Sequence, residues 1–242
     1  MKKLLALTLA AGMIAGVASG QTVLSQNAVG YVKVEVDGGK FAIVRSDFTP
    51  MSGDAPTPSV VYGDSLPLGT TIFLYNASTL SYQSSTYEIG TDPDTFLPIE
   101  QWSDDSLDLS PGRSWWVQPG GTDENVPVIA MGEVPPDSQQ AVTILEGFNL
   151  VSFPYPADTM WEDTELAQSA EIGDTVYFYD VETENYTSST YEIGTDPDTF
   201  LPIEQWSVPN LVVTPGVGFW YQAGTGRVVD ENRPYLWPND NE

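Results

Sequence analysis

The chain alternates short apolar runs with breaks that carry Gly, Pro or Asp, and the runs are of strand length. "FAIVRS" (Phe41–Ser46) and "FNLVSF" (Phe148–Phe153) are β-branched and aromatic stretches suited to a pleated, half-buried surface. "TIFLY" (Thr71–Tyr75) and "TVYFY" (Thr175–Tyr179) are almost continuously apolar, which predicts central strands covered on both faces. Pro111-Gly112 and Pro215-Gly216 then launch "RSWWVQ" and "VGFWYQ", the proline fixing φ at the second position of a turn. "PVIAMGEV" (Pro127–Val134) adds a further strand. One short helix is expected after Thr159 and Glu162, which stand at capping-box spacing before "DTELAQSA". The pattern predicts an all-β fold: two tandem β-sandwich or partly open barrel modules with at most short helices.

The modules come from an internal repeat at an offset of 104 residues. "TIFLYNASTLSY" (Thr71–Tyr82) aligns with "TVYFYDVETENY" (Thr175–Tyr186), and "LSPGRSWWVQPG" (Leu109–Gly120) with "VTPGVGFWYQAG" (Val213–Gly224). Between these runs, "SSTYEIGTDPDTFLPIEQWS" occurs without a single change at Ser84–Ser103 and Ser188–Ser207, while most flanking positions differ. The Pro- and polar-rich "GEVPPDSQQ" (Gly132–Gln140) marks the junction, giving a first module over 21–135 and a second over 136–242. Residues 1–20 are expected to be an export signal: Lys2 and Lys3, an apolar Leu4–Val17, then small residues before Gln21. No later stretch approaches the ~18 apolar residues of a transmembrane helix. An exported protein, extracellular, surface-bound or periplasmic, is therefore expected.

Charge and composition narrow the chemistry. With 34 acidic against 8 basic residues the net charge is −26, which opposes a nucleic-acid partner because phosphates need Lys and Arg to neutralise them. The same charge keeps the chain soluble and stores self-repulsion that salt or divalent cations relieve. There is no His and no Cys, so serine triads, thiol nucleophiles and imidazole acid–base steps are excluded.

"GFNLVSFP…TVYFYD…Y…LVVTPGVGFWYQA" resembles the GWNLVS-P … L-x-PG-x-GYW modules of large secreted and surface-layer proteins of bacteria and archaea. The resemblance covers Gly147–Ala223 well and Phe41–Gln118 more loosely; Ala42-Ile43 replaces Asn-Leu, and Ser114-Trp115 replaces Gly-aromatic. It implies an extracellular β-module in structural or surface contexts and carries over no catalytic residue.

Two kinds of side chain are candidates for binding. "TDPDT" lacks strand periodicity and is expected at the tip of a projecting loop in each module, where Asp92, Asp94, Asp196 and Asp198 supply hard oxygen ligands for calcium. Asx-turns, in which an Asp accepts from its own backbone, explain these aspartates equally well. Seven tryptophans are present, and strand alternation puts Trp115 and Trp116 on opposite faces. Trp116 and its counterpart Trp220 are therefore candidate stacking platforms for sugars, against the alternative that they fill a β core. No cofactor other than calcium is suggested. The function expected is a non-catalytic structural or interaction component whose partner is itself, another surface protein or a polysaccharide. A carbohydrate-binding module is the alternative. A glycoside hydrolase, needing two carboxylates ~5–10 Å apart, is the third reading. The identical segments fit either a contact made twice or recent copying between repeats.

Overall fold

The computed structural model describes residues 28–237, so the export-signal reading lies outside the described residues. The fold is all-β. In the first half, β1 (Val29–Val36), β2 (Ala42–Arg45), β3 (Thr71–Asn76), β4 (Ser81–Thr91), β5 (Pro98–Trp102), β6 (Ser114–Gln118) and β7 (Val126–Glu133) are joined by loops and one short helix, Pro58–Val61. They form a five-stranded antiparallel sheet of order β2-β6-β3-β4-β5 and a two-stranded ribbon, β1-β7.

The second half repeats the plan. A ribbon of β8 (Gln139–Ile144) and β16 (Arg227–Asn232) accompanies a sheet of order β13-β12-β11-β15-β9. Its strands are β9 (Gly147–Val151), β11 (Thr175–Asp180), β12 (Asn185–Thr195), β13 (Pro202–Trp206) and β15 (Phe219–Ala223). The small pair β10 (Thr159–Met160) and β14 (Val212–Val213) closes one end. Each half is thus an uneven sandwich, a ribbon laid over a five-stranded sheet.

Each sandwich owns a core. Val36 and Val128 of the first ribbon pack with Ile72, Val117 and Trp115 of the sheet, and Val142, Ile144 and Val229 pack with Val176, Phe219 and Tyr221 in the second. A ring from the segment entering β3 or β11 fills the middle: Tyr62 lies 6.2 Å from Trp102, and Trp161 lies 5.2 Å from Trp206 and 5.4 Å from Phe219. Such tilted and edge contacts add ~0.5–1.5 kcal/mol each beyond the area they bury.

The predicted helix exists, but its cap differs from the reading above. It runs Glu165–Gln168, and the cap is Thr164, whose hydroxyl accepts from the Ala167 amide at 3.2 Å. Thr159 is held in β10, paired with Val213, and Trp161–Asp163 forms a 3-10 turn instead. A pairing partner distant in sequence overrode a local spacing. The buried Glu231 of β16 adds a second cap, accepting from the Glu165 and Leu166 amides at 3.0 and 2.9 Å.

The two sheets are stitched edge to edge by the Pro-Gly turns. The Arg45 amide donates to Gly216 O at 3.0 Å, and the Gly218 amide donates to Ile43 O at 3.2 Å, so β2 pairs with the approach to β15. In the reciprocal place the Ser152 amide donates to Gly112 O at 3.1 Å, and Arg113 bridges Val151. The duplicated halves are therefore related by an approximate internal two-fold. Ser114 and Gly218, equivalent in the repeat, meet at its centre: a Cβ on Gly218 would run into the Ser114 side chain. Only one of the two can carry a side chain there, which accounts for Ser114 standing where the repeat has Gly. A fully buried ion pair locks the junction, with Arg45 Nη2 at 2.9 Å from Asp47 Oδ1 and 3.1 Å from Thr214 O, while Asp47 Oδ2 accepts from Gly216 N at 2.7 Å.

Candidate functional site: twin aromatic clefts

Strand alternation decides which rings reach the site. In β6, Trp115 and Val117 point into the sandwich core and Trp116 points the other way; in β15, Phe219 and Tyr221 go inward and Trp220 outward. Phe73 and Tyr75 of β3, Tyr177 and Tyr179 of β11, and Tyr82 and Tyr186 at the starts of β4 and β12 share those outer faces. Phe41 and Phe148 complete them at the entrances to β2 and β9. The near-continuous apolar character of "TIFLY" and "TVYFY" follows: one face fills a core, the other faces the partner sheet.

Across the two-fold the outer faces exchange one ring each. Trp116 meets Tyr179 edge-on with centroids 5.0 Å apart, and Trp220 meets Tyr75 at 4.9 Å. The exchange closes two clefts. The first, about 420 Å³, is lined by Phe41, Phe73, Tyr82, Trp116 and Tyr179; the second, about 460 Å³, by Phe148, Tyr177, Tyr186, Trp220 and Tyr75. Position by position the linings correspond under the repeat, and each is complete only when both modules are present. Phe41 and Tyr82 are 40% and 49% exposed, and Phe148 and Tyr186 are 44% and 48% exposed, so each cleft opens to solvent.

The clefts differ in polarity at one wall. Phe73 in the first is matched by Tyr177 in the second, whose hydroxyl donates to Gln222 Oε1 at 3.0 Å. At the first rim Lys40 Nζ lies 3.5 Å from Glu184 Oε1 of the other module and 3.3 Å from Asp37 Oδ2. Loss of hydration raises the hydroxyl pKa of Tyr82 and Tyr186, partly opposed by the indoles of Trp116 and Trp220 beside them. These phenols stay neutral at any physiological pH. The clefts can hold an apolar side chain or the C–H face of a sugar ring, their linings being made of Phe, Tyr and Trp rings.

The aspartate candidates lie elsewhere, at the tips of the β4–β5 and β12–β13 hairpins. Asp92 Oδ1 accepts from the Asp94 and Thr95 amides, both at 2.8 Å, and Asp196 Oδ1 accepts from those of Asp198 and Thr199 at the same distances. These are Asx-turns, and the amide donors hold both Asp92 and Asp196 below the usual carboxylate range. Among the described residues no group of three or more acidic side chains gathers as a metal site. The sequence reading missed the other rings of the clefts; the signal available for them was the aromatic character shared by Phe41 with Phe148, Tyr75 with Tyr179, and Tyr82 with Tyr186 across the repeat. No family model, no curated protein and no solved structure matches this chain.

Proposed function

We propose that this chain is an exported, non-catalytic structural and interaction component of the cell surface or extracellular space, one that presents the same contact surface twice. The observation that carries the reading is the pair of aromatic clefts, alike ring for ring and related by the internal repeat. Two equivalent sites on one chain favour a partner that is itself repetitive, because a second contact made at high effective concentration raises avidity by roughly 10²–10⁴ without new chemistry. The lack of His and Cys supports a binding role over a catalytic one. The resemblance to secreted surface modules, and the Lys2–Gly20 stretch, support export.

The test is fractionation of the producing cells with N-terminal sequencing. The expected result is a chain beginning at Gln21, outside the cytoplasm and retained on the cell envelope, with Phe41→Ser plus Phe148→Ser releasing it. A cytoplasmic chain with an intact N-terminus would overturn the reading. A second reading, carbohydrate binding by the clefts, is favoured by their half-exposed rings, which suit stacking against sugars. Sedimentation with cellulose, chitin and peptidoglycan, lost in the same double variant, is its expected signature.

A further inference from the structure

The two copies of the unchanged segment build two identical arms. Beyond Tyr87, β4 leaves the core and returns as β5, and the free end of the hairpin exposes large apolar groups. Ile89, Phe96 and Leu97 are 64%, 79% and 62% exposed, and Ile193, Phe200 and Leu201 are 62%, 79% and 62% exposed. The tip is costly as well as exposed. Phe96 and Phe200 both sit at φ 57°, left-handed backbone that Gly or Asn adopts more cheaply than a bulky residue. The left-handed residue closes the turn, the Phe96 amide donating to Asp92 O and the Asp92 amide to Leu97 O, both at 2.9 Å, but the turn does not require a phenylalanine there, and clustered exposed apolar groups mark functional surfaces.

Taking the clefts as contact sites, we infer that their occupant is a second copy of this chain, whose arm tips insert Phe96–Leu97 and Phe200–Leu201 into the aromatic clefts. Number agrees: two identical tips face two equivalent clefts. Reach argues against an arm folding back onto the cleft at its own base, since eight residues of β4 lie between Tyr82 at that cleft and Thr91 at the arm's end, roughly 30 Å of extended strand. Area agrees too. Each tip offers roughly 350 Å² of apolar surface, and covering tip and cleft together removes on the order of 600 Å² per contact. Two contacts exceed the ~1,000 Å² expected of a specific interface.

At the first rim Lys40 is already held between Asp37 and Glu184, so charge does not favour entry of a tip carrying Asp92 and Asp94, and apolar burial must drive the contact. Two chains that exchange tips reciprocally form an isologous contact that closes as a pair, whereas tips passed on to a third chain make a heterologous contact that extends beyond a pair. The net charge of −26 opposes such assembly at low ionic strength, so association strengthens with salt.

The experiment is light scattering of the purified protein across a concentration series, at low salt and in about 0.5 M NaCl, where charges are screened within a few ångströms. The wild type is expected to rise to twice the single-chain mass or more, with more assembly at high salt. Phe96→Gly plus Phe200→Gly, which suits the left-handed backbone and keeps the fold, is expected to stay monomeric, as is Phe41→Ser plus Phe148→Ser. Mixing the two variants restores association, because one supplies intact clefts and the other intact tips. A wild type that stays monomeric at high salt, or a tip variant that assembles like the wild type, overturns the inference. In that event, retention on the envelope that still depends on Phe41 and Phe148 would leave the cleft reading standing with a foreign occupant. Loss of both dependences would sink the two together.

Discussion

Glu231 makes the stability of this protein depend on pH in an unusual direction. Its carboxylate is 2% exposed and accepts two amides at the start of the Glu165–Gln168 helix. Burial nonetheless outweighs those bonds and pushes it from an ordinary 4.5 up to about 7. Burial likewise raises Asp47 to about 6, despite the Arg45 guanidinium beside it. A carboxyl whose folded pKa lies above its unfolded one takes up a proton on folding. Its stabilising effect is complete below the unfolded value and is lost as pH rises through the folded one. For Glu231 that window runs from about pH 4.5 to pH 7, and at 1.36 kcal/mol for each tenfold difference the contribution is on the order of 3 kcal/mol. Urea midpoints followed by tryptophan fluorescence should therefore rise as pH falls from 8 to 5. Self-repulsion of the acidic surface also eases in that range, but about 1 M NaCl screens it within ~3 Å while leaving the buried carboxyl untouched. Glu231→Gln, measured at high salt, should remove most of the slope between pH 7 and 5. A midpoint that is flat or falls on acidification, or a Glu231→Gln slope equal to the wild type, would refute the reasoning.

Three further outcomes test the duplicated architecture. A Cβ on Gly120 would collide with the Leu68 carbonyl, whereas one on its counterpart Gly224 meets only Asp174 Oδ1 at 3.7 Å; Gly120→Ala should cost about 1–3 kcal/mol in urea unfolding and Gly224→Ala less than ~0.5 kcal/mol. Gly218→Ser should destabilise strongly by clashing with Ser114, and adding Ser114→Gly should recover most of the loss, since the centre of the two-fold admits one side chain. Asp92→Ala with Asp196→Ala removes the Asx-turns from exposed tips, so proteolytic nicking within 92–97 and 196–201 should quicken several-fold while the global urea midpoint stays put.

The strands, the repeat and the projecting tips were legible because each rests on local chemistry. Period-two alternation separated Trp115 from Trp116, Pro-Gly marked the turns before β6 and β15, and Asp-Pro-Asp-Thr marked the arm tips. What alternation cannot say is where an outward face goes. Trp116 and Tyr179 meet only because two sheets pack, and nothing within either strand encodes the distance between them. The Pro-Gly turns hid their second role for a related reason: Gly112 and Gly216 bond the opposite module through backbone carbonyls, which leave no mark on side-chain identity. One trace was visible, in Ser114 replacing Gly, and it becomes interpretable once Gly218 is seen beside it.

The unchanged twenty residues fall into a packed part and an exposed tip. Tyr87 and Trp102, like Tyr191 and Trp206, hold the arm to its core, and Gln101 and Gln205 lie over Gly90 and Gly194, so packing restrains that part of the segment. The tip is different. Phe96 and Leu97 lie outside the core, and Phe96 holds a backbone conformation that glycine adopts without strain, so folding stability favours change there. Recent copying would preserve such a tip without reason; a shared contact would preserve it against its own strain. The association of wild type, tip variant and cleft variant separates these causes, because a tip kept by copying alone leaves association unchanged when the two phenylalanines at φ 57° are lost, whereas a working tip does not.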